Sequence, residues 1–118
     1  MERLSFREAD ARQPQDDRLV GVSIAPLTES IGRGTGFQAA VFRIGPGGRI
    51  ARHPATLPQL LAVLEGSGRV SGGDGVEIAL APGDAVVWRA GEEHETVSEE
   101  GMTALIVEGE GLVPARGR

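Results

Sequence analysis

The sequence predicts an all-β sandwich or barrel, and three observations carry that expectation. Eighteen glycines and seven prolines are spread through 118 residues and cut the chain into short elements. Turn signals recur about every ten residues between β-branched or apolar segments, the rhythm of antiparallel β proteins. Apolar residues nowhere keep helical spacing for three turns. A hydrophobic content of 40% supplies one core, and 118 residues make one domain.

Taken in order, residues 1–17 form a polar arm of mixed charge, and Gln13-Pro14-Gln15-Asp16-Asp17 reads as a loop. Strands are expected at 19–25, 37–44, 49–54, 59–65, 68–71, 75–80, 84–89, 94–98 and 103–108, where short apolar or β-branched segments stand between glycine and proline signals. Gly32-Arg33-Gly34-Thr35-Gly36-Phe37 has the wrong glycine spacing for a dinucleotide loop and reads as a loop before a strand. Gly45-Pro46-Gly47-Gly48 should break one pair of strands, and Gly72-Gly73-Asp74-Gly75 should close a hairpin. Pro82-Gly83-Asp84 and Ala90-Gly91-Glu92 mark two further turns. Residues 109–118 have few apolar anchors and should fray.

Composition removes several chemistries. Cysteine, lysine and tyrosine are absent, which excludes disulfides, thiolate nucleophiles, cysteine-based metal sites, lysine Schiff bases and a tyrosine acid. Asparagine is missing too, and all 12 basic residues are arginine, a bias that fits a GC-rich, bacterial genome. A net charge of -5 disfavours nucleic acid and anionic membranes as partners. The longest apolar run, Leu60 to Leu64, is far too short for a membrane span or a secretory signal, so a cytoplasmic protein is expected.

The chain has two histidines, His53 and His94, and each stands in a patterned segment. The first is Gly47-x5-His53-x-Ala55-x3-Gln59-x6-Gly66, and the second is Gly83-x5-Arg89-x-Gly91-x2-His94-x3-Ser98. These closely resemble the two signature motifs of the cupin superfamily, G-x5-H-x-H-x3,4-E-x6-G and G-x5-P-x-G-x2-H-x3-N. The order, the register and the short separation of the motifs are those of small single-domain microbial cupins. The resemblance implies a jelly-roll barrel, the double-stranded β-helix, over residues 1–118, with motifs at 47–66 and 83–98.

It also implies a divalent metal held at the barrel mouth, and here the sequence departs from the pattern. Ala55 stands at the second histidine position and Gln59 at the acidic one. His53, Gln59 and His94 are therefore the candidate ligands of a weakly held zinc, nickel, iron or manganese ion, or the site carries no metal. Gln59 could equally fix a histidine tautomer by hydrogen bonding. On a strand, positions 53 and 55 share a face, as do 94, 96 and 98, so Ala55, Thr96 and Ser98, together with Trp88, are candidates to line the pocket. Arg52 and Arg89 flank the histidines and could clamp a carboxylate. Replacing Ala55 by His and Gln59 by Glu should restore the family's ligand shell.

Three functions remain open. The first is a barrel that binds a small molecule, with or without the metal. The second is a metal-dependent dioxygenase, isomerase or cyclase using His53, Gln59 and His94. The third is a non-catalytic interaction module. A homodimer is expected, because Leu60 to Leu64 is apolar on both strand faces and its outer side needs a cover; a monomeric mass by light scattering would refute it.

Overall fold

The computed structural model describes residues 1–31 and 36–116. Among these residues the alternating segments form eight strands: β1 (Leu19–Pro26), β2 (Phe37–Pro54), β3 (Gln59–Gly66), β4 (Gly68–Ser71), β5 (Glu77–Leu80), β6 (Ala85–Trp88), β7 (Glu93–Val97) and β8 (Met102–Gly109). A single 3-10 turn, Glu8–Asp10, lies in the N-terminal arm. The strands pair in the order β5-β4-β7-β2-β8-β3-β6, with β1 added along β2, and every pairing is antiparallel. The result is an all-β, nearly closed barrel. The segment Gly32-Arg33-Gly34-Thr35, part of the expected loop before a strand, lies outside the described residues.

One expectation needs correction. Gly45-Pro46-Gly47-Gly48 does not separate two strands; residues 37–54 are continuous. On one side β2 changes partner, from β8 along Phe37–Ile44 to β7 along Arg49–Pro54. On its other side β1 runs past both halves, with an irregularity between Val20 and Val22. The glycine run is thus the corner at which one strand passes between the two halves of the barrel. Gly47 takes φ 78 there, and its N–H points to the carbonyls of Ser98 and Glu99 at 2.9 and 3.2 Å. A break signal and a corner signal have the same composition, because both require positive φ and close backbone approach. The Gly72–Gly75 turn is the hairpin expected, closed by Gly75 N–H to Gly72 O at 3.0 Å and by Val76 N–H to Asp74 Oδ1 at 2.9 Å.

Alternation then fills the interior. On β3, Leu61 and Val63 are 0% and 3% exposed, while Leu64 is 45% exposed. Met102, Ala104 and Ile106 of β8 and Trp88 of β6 point to the same core, which Ile50, Val70 and Leu80 complete from the other half. The N-terminal arm lies on this chain's own β1 and β2: Arg12 bridges to Ile24, and the Arg43 guanidinium donates to Phe6 O.

Candidate functional site

His53, near the end of β2, and His94, in β7, are direct cross-strand partners. Their side chains therefore meet on one face, with ring centroids 4.4 Å apart. Each Nδ1 lies against the backbone carbonyl two residues earlier, His53 to Ala51 O at 2.8 Å and His94 to Glu92 O at 3.2 Å. A carbonyl can only accept, so each Nδ1 carries the proton and each Nε2 of the neutral ring keeps its lone pair. Trp88 packs against His94 in a tilted contact, with ring centroids 4.5 Å apart, and donates its indole N–H to Ser71 O at 3.1 Å. His94 is only 2% exposed.

Burial pushes the His94 pKa below its ordinary 6.5, and the nearby His53 acts in the same direction against the opposing Glu92 carbonyl. The unfolded chain therefore takes up this proton at a higher pH than the folded one. Stability should be full above about 6.5 and decline as pH falls below it. Carboxylates titrate lower: Glu92, held down by the N–H groups of Gly73 and Arg89, loses its contribution only as pH falls below its ordinary 4.5. Urea midpoints at pH 7.5 and 5.5 should converge in His94→Gln relative to the parent. Equal slopes in the two proteins would refute the assignment.

The pair opens into a cavity of about 140 Å³ lined by Asp16, Arg18, Leu19, Ile24, Phe42, Ile50, His53, Gln59, His94, Thr96 and Ile106. Its lining combines five apolar side chains, Leu19, Ile24, Phe42, Ile50 and Ile106, with six polar or charged ones, and such convergence of polar groups in a cavity is a feature of small-ligand sites. Gln59 enters from the first residue of β3, and its Nε2 donates to the Glu108 carboxylate across the strand pair at 3.3 Å. At the rim, Arg18 grips Asp16 with a two-pronged contact, Nε to Oδ1 at 3.0 Å and Nη2 to Oδ2 at 2.7 Å. That fork, with the Arg18 backbone N–H, brings the Asp16 pKa down to about 2.

The cupin domain profile matches residues 40–108. The chain is a cupin. Solved structures agree in fold. The polyketide cyclase RemF from Streptomyces resistomycificus superposes with a TM-score of 0.80 at 22% identity, over 97% of this chain and 82% of that one. An RmlC-like cupin from Shewanella frigidimarina gives 0.75 at 21%, over 94% and 93%. A cupin 2 conserved barrel domain protein from Salinispora arenicola gives 0.74 at 19%, over 94% and 90%. A search of the curated proteins finds no match.

Within this cupin the expected site residues separate. His53, Gln59, His94 and Thr96 share the cavity. Ala55, Trp88 and Ser98 are not among its lining residues. β2 ends at Pro54, so Ala55 leaves the strand face; its N–H and C=O are tied to Glu92 O and Gly91 N at 2.9 and 2.6 Å. Trp88 is buried against His94 rather than in the open. Ser98 spends its hydroxyl at the other end of β7, donating to Ser67 O and accepting from Gly101 N. Arg52 and Arg89 do not reach the cavity either: Arg52 donates to Ser71 Oγ and Gly72 O, and Arg89 is exposed. The cation at the mouth is Arg18, which immediately precedes β1.

Among the described residues no group of three or more His, Cys, Asp or Glu side chains could hold a metal. Besides the Asp16 carboxylate, which Arg18 holds at the rim, the cavity offers the Nε2 atoms of His53 and His94 and the Oε1 of Gln59. Two neutral imidazoles and an amide oxygen fit a divalent ion of the zinc, nickel or iron kind, and they bring it no compensating charge.

Proposed function

We propose that this cupin binds a small organic ligand in the mouth of its barrel, beside a weakly held divalent metal on His53, Gln59 and His94. The supporting observation is the pair of Nδ1–carbonyl bonds, which leaves two Nε2 lone pairs at one cavity. Leu19, Ile24, Phe42, Ile50 and Ile106 would enclose the apolar body of the ligand. A volume of about 140 Å³ suits a body no larger than a single ring. When bound, the metal would act as a Lewis acid toward a ligand oxygen. The convergence of polar side chains on the cavity speaks against a bare interaction module.

Catalysis is a second reading, a metal-dependent enzyme in which the positions not filled by protein donors receive the substrate. It is supported by the likeness to a polyketide cyclase along 97% of this chain.

Trp88 is the single tryptophan and touches His94, so its fluorescence reports on the site. Zinc added to chelator-stripped protein should change that fluorescence and bind one ion per chain by calorimetry. His53→Ala and His94→Ala should each weaken binding at least tenfold, about 1.4 kcal/mol. No heat and no Trp88 response up to millimolar zinc would remove the metal from this reading.

A further inference from the structure

We propose that Glu108 is a positioning residue that fixes the Gln59 amide with its oxygen toward the histidine pair. Gln59 and Glu108 are register partners on β3 and β8. Gln38, the partner of Glu108 on the other side, reaches the same carboxylate. Gln38 Nε2 donates to Glu108 Oε1 at 2.7 Å, and Gln59 Nε2 donates to Glu108 Oε2 at 3.3 Å. The far side of Gln38 is also engaged, because its Oε1 accepts the Ile31 N–H at 2.9 Å. An ionised carboxylate only accepts, so both amides must turn their nitrogens to it. For Gln38 this agrees with the Ile31 bond, which needs the oxygen on the opposite side. For Gln59 it leaves Oε1 as the free acceptor, on a side chain that lines the cavity with His53 and His94.

The consequence is electrostatic as well as geometric. The family's motif places a carboxylate at position 59, where this chain has a neutral amide. The negative charge has not left the neighbourhood: it stands one strand away, bonded to the residue that replaced it. A metal at the histidine pair would meet an amide oxygen polarised by a carboxylate behind it, an outer-sphere arrangement of the kind that orients ligands and strengthens donors.

The orientation is tested without metal. In nitrogen-15 spectra the Gln59 side-chain amide, assigned by its loss in Gln59→Ala, should show one proton shifted downfield by the carboxylate. That shift should disappear in Glu108→Gln and survive in Glu108→Asp. An unchanged Gln59 signal in Glu108→Gln overturns the proposal. The ligand-tuning half rests on the reading that Gln59 holds metal. There, Glu108→Gln should weaken zinc binding at least tenfold, with Glu108→Asp between it and the parent. Equal zinc affinity in the parent and Glu108→Gln overturns that half. Absence of zinc binding in the parent would instead defeat the metal reading, and the amide spectra would still decide the role of Glu108.

Discussion

Gly66→Ala is expected to cost about 3 kcal/mol or more of unfolding free energy, from a positive-φ penalty of about 1 kcal/mol plus a steric one. Gly66 closes the first motif at φ 76, and a Cβ there would lie 2.1 Å from Gly101 O and 3.0 Å from Met102 Cα. Both are backbone atoms, so no side chain can swing aside. Gly101 O also accepts the Ser67 N–H at 3.1 Å, which ties the opposing backbone in place. The structure supplies its own control. Gly75 has nearly the same φ, 74, with nothing within 4 Å of a built Cβ. Gly75→Ala should therefore show the conformational cost alone, about 1 kcal/mol. Denaturant unfolding of both variants separates the terms, and equal losses would show that the close approach to Gly101 is not what requires glycine.

The same position explains how much of the fold is legible in the sequence. The motif glycines mark points of positive φ, and at Gly66 also a close approach of backbone to backbone, while strand alternation places Leu61 and Val63 inward without any tertiary knowledge. The 45–48 run reads as a break because local composition does not say whether a neighbouring strand, here β1, continues past the glycines. In the site, the histidine pair is legible because motif register fixes both strands. Asp16, Arg18 and Glu108 are not. Glu108 comes to Gln59 only through the β3–β8 register, and Arg18 reaches the mouth only through the β1–β2 pairing, where its carbonyl accepts the Ala51 N–H. Arg52 does carry a usable signal against its candidacy: as the immediate neighbour of His53 on a strand, it must face the other way.

The motif invites two restorations, Ala55→His and Gln59→Glu, and the structure predicts different outcomes for them. Ala55 is 3% exposed and held by two backbone hydrogen bonds outside the cavity lining. A histidine there overpacks a closed position, so a loss of about 1–3 kcal/mol is expected, with no gain in metal affinity. Gln59→Glu places a second carboxylate where Glu108 now accepts a hydrogen bond at 3.3 Å. Like charges so close resist joint ionisation, and this offsets the attraction the new group offers a dication. Exchanging the two residues, Gln59→Glu with Glu108→Gln, avoids the conflict. One carboxylate remains, now in the ligand position, and the amide introduced at position 108 can donate to it from behind. The exchanged protein should bind zinc at least tenfold more tightly than the parent, about 1.4 kcal/mol, and more tightly than Gln59→Glu alone at neutral pH. Its melting temperature should rise over the parent's only with metal present, since a ligand selective for the folded state stabilises it by mass action. Calorimetric titration of the parent, the two single variants and the exchange completes a double-mutant cycle. Its coupling term measures the repulsion between carboxylates at positions 59 and 108. A coupling near zero would show that the two positions do not share the site's charge. An exchanged protein no tighter than its parent would show that position 59 does not face the metal.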